Sequence, residues 1–282
     1  MKRKIQSQVT GYRTQDGAGV SLVRVLGRET VRAFDPILML DSFDSTNPAD
    51  YIAGFPLHPH RGIETISYLA RGKMVHMDTL GNEDAIGDGE VQWMNAGSGI
   101  RHAEKLLAAE RLLGAQLWLN LPARDKRSHP TYHSIKRHEI EEIAIDGGML
   151  RLLAGKYGAH RGHAGDHLPL DYYDVHLEAG KTFSIETARD DSVMLFTLLG
   201  EITIEGETIA EKTAVKLTEG ESLAFTAGAD GAQVLYIRSR PLGEPVAWAG
   251  PIVMNTEEEI YEAFRDLERG TFLKETIDYE EA

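Results

Sequence analysis

Cysteine is absent from all 282 residues. That absence removes disulfides, thiolate ligands and cysteine nucleophiles together, and it leaves imidazole and carboxylate as the donors for any metal. It also agrees with a reducing compartment. Long apolar runs are missing as well. None approaches the roughly twenty residues of a membrane span, and the opening Met1-Lys-Arg-Lys-Ile-Gln-Ser-Gln8 lacks the apolar centre of a signal peptide. A cytoplasmic chain with no membrane attachment is the expectation. Positive charge is scarce, with 30 Lys and Arg against 44 Asp and Glu for a formal charge of −14. Such a field repels phosphate backbones, so no direct nucleic-acid partner is expected. The densest basic stretch, Arg124, Lys126, Arg127, Lys136 and Arg137, reads as a solvated face or a linker. Nucleophile elbows, phosphate-cradling loops and dinucleotide fingerprints are also missing.

Histidine in paired spacing stands out against these absences. His58-Pro-His60 and His102-Ala-Glu104 each place two donors at i, i+2. Side chains two apart on a strand share a face, so each pair can aim both donors at one point. Two such strands facing each other make a pocket of three imidazoles and a carboxylate, a donor set suited to a divalent transition metal. Iron, nickel, copper, manganese, cobalt and zinc all fit it. The second pair follows Gly97 and Gly99, where the backbone can turn sharply.

The surrounding sequence reads as β-structure throughout. Val20 to Leu26, Ile37 to Leu40, Thr65 to Leu69, Lys73 to Asp78, Glu90 to Met94 and Gly114 to Pro122 are short strands bounded by Gly, Asn, Asp or Pro. Nothing between Gly54 and Glu104 has room for a ten-residue helix. Ala123 to His138 is a charged, irregular bridge, and the domain boundary belongs there, giving 1–136 and 137–282. Strands resume at Met149 to Ala154, Tyr172 to Leu177, Lys181 to Glu186, Val193 to Leu199, Glu201 to Ile204 and Ser222 to Phe225. The fold class is therefore all-β, a sandwich or barrel in each half. The halves also repeat: residues 89–104 lie over 220–235, matching a Gly-Glu start and an Ala-Gly centre. His102 then falls on Gln233 and Glu104 on Leu235, so only the first copy keeps its donors. The one clear helix runs from the cap Thr256, with Glu259 three residues on, to Gly270. Its stripe is Ile260, Ala263, Phe264 and Leu267, and it reads as packing.

Other histidines read more plainly. His129, His133 and His138 hold no common strand face, and His160, His163, Asp166 and His167 sit among glycines in a surface loop. His76, between Met74 and Asp78, faces either the barrel mouth or solvent. Trp93, Met94 and Phe55 are core residues at such positions.

Four stretches together resemble the pirin family of bicupins: His58-Pro-His-Arg-Gly-Ile-Glu-Thr65, Gln92-Trp-Met-Asn-Ala-Gly-Ser-Gly-Ile-Arg-His-Ala-Glu104, Gln116-Leu-Trp-Leu-Asn-Leu-Pro122 and Glu244-Pro-Val-Ala-Trp-Ala-Gly-Pro-Ile-Val-Met-Asn-Thr256. The resemblance extends over nearly the whole chain. It implies two cupin barrels followed by the terminal helix, with a mononuclear metal, commonly iron(II), in the first barrel alone. It carries the ligands over to His58, His60, His102 and Glu104. In the general cupin pattern the carboxylate ligand falls in the first motif, here at Glu64, which shares strand parity with His58 and His60 and reads as a fifth ligand, a partner of a ligand, or a structural carboxylate. Ile63, Ala249 and Ile252 depart from the family's wording at packing positions.

The activity implied by the resemblance is quercetin 2,3-dioxygenation: ring opening of a flavonol by O2 with release of carbon monoxide. The partners are then a small aromatic substrate and O2, with Glu104 serving both as ligand and as the base that takes the substrate's hydroxyl proton. A second reading, also implied by the resemblance, is a metal-responsive regulator that binds a protein partner, a transcription factor or a metabolic enzyme. A third is an isomerase or hydrolase acting on a small polar metabolite, because a cupin fold does not fix the chemistry.

Overall fold

Alternation of apolar and polar residues over short, glycine-bounded runs makes antiparallel strand the main element of the described residues. The structure, a computed structural model, describes residues 1–274. They form two compact units, and each is discontinuous in sequence, which a single cut after residue 136 does not express. One unit takes Arg13–Leu22, Phe43–Ser134 and the stretch from Gly243 onward, so the terminal helix belongs with the paired histidines. The other takes Met1–Tyr12, Val23–Ser42 and Ile135–Leu242.

The histidine-bearing unit is built from two antiparallel layers. A four-stranded sheet runs in the order Phe55–His60, Ile100–Leu107, Lys73–Asp78, Glu83–Ile86. In the second sheet the neighbours are Thr131–Ile135, Glu90–Asn95, Ile63–Arg71 and Leu112–Asn120. Val20, Leu22, Phe43, Tyr51, Leu69, Met74, Ile86, Leu106 and Leu112 fill one end of the interior. His60, His76 and His102 are buried in the same unit. Phe55–His60 is the edge of its sheet. Pro56 and Pro59 suit that place, since each lacks an N–H and blunts further pairing.

Gly62 turns the chain from that edge strand into Ile63–Arg71, with φ +79 and a position where a Cβ would lie 2.0 Å from the Val253 carbonyl oxygen. Its N–H donates to the Gly97 carbonyl at 2.9 Å, tying this turn to the glycine-rich turn that precedes His102. Next to it, the fully buried Arg61 reaches the Ser98 carbonyl, the Asp266 carboxylate and the Phe272 carbonyl at 2.6, 2.9 and 2.9 Å. The terminal helix, Glu257–Glu268, is thereby fixed beside the histidine motif. Thr256 caps it reciprocally with Glu259, as its sequence predicts. Ile260 and Ala263 are buried, whereas Phe264 is 38% exposed and lies outside the buried stripe. Lys126 is not part of any basic surface: its ammonium is buried and donates to Gly62, Asn120 and Val253.

The other unit is a nine-stranded sheet, in which Ile5–Thr10 pairs with Thr213–Leu217 and the long strand Ser222–Ser239 sits between Ser192–Ile204 and Leu170–Leu177. Its core includes Leu150, Tyr173, Val175, Leu195, Val215, Phe225 and Val234. The repeat is visible here with an instructive difference. The first copy breaks at Gly97 and Gly99 into two strands in different sheets, whereas the second runs on as one strand that pairs with Thr182–Glu186 and then with Leu170–Leu177.

Because the left-handed φ and the Val253 contact both exclude a side chain at Gly62, Gly62→Ala should cost about 2 kcal/mol or more. Thermal or denaturant unfolding checks this, and an unchanged midpoint would contradict the packing described.

Candidate metal centre

Cross-strand register in the four-stranded sheet assembles the site. His102 lies opposite His58 on one side and Asp78 on the other, Glu104 lies opposite His76, and His60 opposite Ile100. Directly opposed residues share a sheet face. His58, His60, His76, Asp78, His102 and Glu104 therefore project from one face into the interior. The ladder slips between His102 and Glu104, where Glu104 faces Phe55 instead of the residue two before His58. This bulge falls at Pro56, which has no N–H to give.

His58, His60 and His102 form one donor group, each offering a ring nitrogen within 4.8 Å of the others, and no second group of this kind occurs among the described residues. Their ring centroids lie 4.4 to 5.1 Å apart. His60 and His102 are buried, and His58 is half-buried. His58 Nδ1 is 2.8 Å from the Pro56 carbonyl and His60 Nδ1 is 2.9 Å from the Pro251 carbonyl. A carbonyl only accepts, so both Nδ1 atoms carry the proton. The two Nε2 atoms then face each other across 3.0 Å as lone pairs. His102 Nε2 is buried with no hydrogen-bond partner among the described residues. Left so, a ring nitrogen costs about 1–3 kcal/mol. Burial, followed by the nearby His58, pushes the His60 pKa down to about 3, and burial with the charges of His60, His58 and His76 pushes His102 well below its ordinary value. These rings are held neutral, as metal ligation requires. Three imidazole lone pairs converging on one point, two opposed and one orphaned, fit a divalent cation.

Glu104 lies outside that three-member group. Its buried carboxylate is held from the opposite sheet by Gln92 Nε2 at 2.7 Å and Gln116 Nε2 at 3.3 Å. Gln92 and Gln116 flank Ser67 in register, and Gln116 also donates to its hydroxyl at 2.9 Å. Sequence reading missed both glutamines. The available signal was a polar residue inside an otherwise apolar run, as at Gly114-Ala-Gln-Leu-Trp118.

Glu64 takes the structural option among the three open to it. The turn at Arg61 and Gly62 puts it on a different strand and sheet from His58 and His60, so shared parity in the sequence carries no shared face. On Ile63–Arg71 it alternates with Thr65 and Ser67, the latter facing Gln116, and its Oε1 accepts the Trp93 indole N–H at 3.1 Å. His76 is fully buried, and of its two expected orientations the interior one holds. His160, in the glycine loop, contacts Glu141 and joins no donor group. In the other unit Gln233, aligned with His102, donates to Asp174, which His176 also contacts at 2.8 Å. Those groups satisfy one another.

Two cupin units built of antiparallel strands, one carrying a histidine cluster on the inner face of its sheet, define a bicupin. The sequence matches the Pirin family model over residues 19–119 and that of the Pirin C-terminal cupin domain over 172–273. A pirin-like protein of Caulobacter vibrioides is 42% identical over 274 residues, covering 96% of this chain and 99% of its own. The crystal structure of quercetin 2,3-dioxygenase from Acinetobacter baumannii superposes with a TM-score of 0.89 at 30% identity, over 96% of this chain and 99% of that one. The fold is shared with a bacterial pirin from Escherichia coli solved with nickel(II), with a TM-score of 0.66 at 21% identity over 83% and 98% of the two chains. The chain belongs to the pirin family.

A buried His60 with a lowered pKa stabilises the metal-free fold fully above about pH 6.5, and this contribution is lost as pH falls toward about 3, because the unfolded chain takes the proton that the folded one refuses. Metal-free wild type should lose stability between pH 6.5 and 4 faster than His60→Asn, by up to about 1.4 kcal/mol per pH unit. Parallel denaturation curves at several pH values check it, and equal slopes would contradict it.

Proposed function

We propose that the chain is a metal-dependent dioxygenase that opens a flavonol such as quercetin with O2, and that His58, His60, His102 and Glu104 hold its single divalent metal. Iron(II) comes first, ahead of nickel, copper, manganese, cobalt and zinc. The observation that carries this reading is the convergence of three imidazole nitrogens with no acceptable partner but a cation. Similarity over nearly full length to the Acinetobacter dioxygenase supports the reaction class, and the nickel(II) held by the Escherichia coli pirin supports a divalent ion. When bound, the ion supplies an electrophilic anchor for an anionic substrate oxygen, with positions open beyond the protein donors.

The remaining chemistry belongs to the chain's own groups. Glu104 takes the proton of the flavonol hydroxyl onto its carboxylate, leaving an electron-rich enolate for O2. Gln92 makes the shortest contact and makes it to Oε1, which leaves Oε2, contacted by Gln116 at 3.3 Å, as the oxygen better placed to receive that proton. Trp118, edge-on to His60 at 5.0 Å and itself against Trp248 at 5.5 Å, forms an apolar wall that excludes water on that side. His58, the most exposed of the three histidines, marks the side open to substrate.

Glu104→Gln should lower turnover of quercetin in air by about 10²- to 10⁴-fold while most of the metal is retained, and His58→Ala should lose both. Bleaching of the flavonol absorbance, read beside elemental analysis of the same untagged, anaerobically iron-loaded samples, checks this. Full activity in Glu104→Gln would remove the base role. A metal-loaded wild type without turnover would instead favour a regulatory, partner-binding protein.

A further inference from the structure

His102 is the one cluster histidine whose second nitrogen meets a side chain and not a backbone carbonyl. Its Nδ1 lies 3.4 Å from Nδ1 of His76. His76 is fully buried, with Tyr132 stacked on its ring at 4.1 Å and 13°. Its Nε2 contacts Asp78 Oδ2 at 2.8 Å. Asp78 is anchored in turn: Oδ1 accepts from the Leu80 and Asn82 backbone N–H groups at 2.8 and 3.1 Å, and the Asn82 amide donates to both oxygens. Burial works to raise the Asp78 pKa, but the hydrogen bonds from His76 and Asn82 outweigh it and hold the carboxyl below its ordinary value. An ionised carboxylate only accepts.

The proton positions follow in sequence. His76 Nε2 must carry a proton to meet Asp78. In a neutral ring Nδ1 is then an acceptor, and the His102 proton sits on Nδ1 to donate to it. That leaves the His102 Nε2 lone pair, the orphaned atom, aimed into the cluster.

We propose that Asp78 and His76 are positioning residues, a two-step hydrogen-bond relay that holds His102 with Nδ1 protonated and Nε2 open to the metal. The inference deepens the proposed function and rests on His102 being a ligand. The Pro56 and Pro251 carbonyls fix His58 and His60 directly, and the relay does the same for the third ring through a carboxylate two residues of chain away from His76.

Asp78→Asn tests it sharply. Three donors converge on Oδ1, so the amide oxygen must sit there and the amide N–H must face His76. The relay then reverses: His76 is protonated on Nδ1, and His102 on Nε2, where it cannot bind a metal. In ¹⁵N-labelled, metal-free full-length protein, long-range proton–nitrogen correlation should place the His102 proton on Nδ1 in wild type and on Nε2 in Asp78→Asn. Nickel(II) affinity, measured by competition with a chromophoric chelator, should fall about 10- to 100-fold in Asp78→Asn. It should fall in the same direction in His76→Phe, which keeps an aromatic ring against Tyr132 and removes the acceptor. A wild-type His102 protonated on Nε2, or folded variants binding nickel(II) as tightly as wild type, would overturn the relay. A wild type that binds no nickel(II) sinks the metal reading itself, and its tautomer spectrum still decides the relay; that spectrum also decides it if neither variant folds.

Discussion

Two imidazole nitrogens pointing their lone pairs at each other across 3.0 Å are the constraint from which the rest of the site follows. Each is committed to that direction because its other nitrogen is tied to a backbone carbonyl. Neither ring can turn away without abandoning a hydrogen bond, and for the buried His60 an unmade bond costs about 1–3 kcal/mol. A shared cation resolves the opposition, and His102 Nε2 adds a third lone pair beside it. The site is thus arranged for an ion by its protein contacts.

Those contacts explain why so much of the unit is devoted to holding one short edge strand. Pro56 supplies a carbonyl to His58 and a bulge to the ladder. Pro251, far along the sequence, supplies the carbonyl for His60. Arg61, immediately after, anchors the terminal helix by an ion pair to Asp266 and by its guanidinium over the Phe272 ring at 4.3 Å. The helix contributes no donor to the cluster, yet the segment leading into it fixes the tautomer of a candidate ligand. Packing and site chemistry are therefore continuous here. On the opposite sheet, the row Gln92, Ser67, Gln116 does for Glu104 what the carbonyls do for the histidines.

Much of this was legible beforehand, and the reasons are physical. Strand alternation marks Lys73–Asp78 to its ends, and an i, i+2 spacing of donors survives folding because a strand holds parity. The cap at Thr256 is a local signal, set by Thr256 and Glu259 alone, and it survives folding unchanged. What failed was parity carried across a turn, as at Glu64, where two residues of Arg61-Gly62 moved the carboxylate to another sheet. Non-local pairings were silent as well. Ile5–Thr10 finds Thr213–Leu217 only in three dimensions, and the assumed irregular bridge contains a strand, Thr131–Ile135, whose Tyr132 stacks on His76. The burial of Lys126 defeats any charge count, since two of its three acceptors, the Gly62 and Val253 carbonyls, come from distant segments. The aligned repeat does not reveal that the break in its first copy becomes a continuous strand in its second.

The central claim is that three imidazoles close on one ion. X-ray absorption at the metal edge of untagged protein, reconstituted with one equivalent of nickel(II), measures it most directly. The account predicts three imidazole nitrogens at about 2.0–2.2 Å with oxygen donors completing the shell. A shell of water and carboxylate oxygens with one imidazole or none would contradict it.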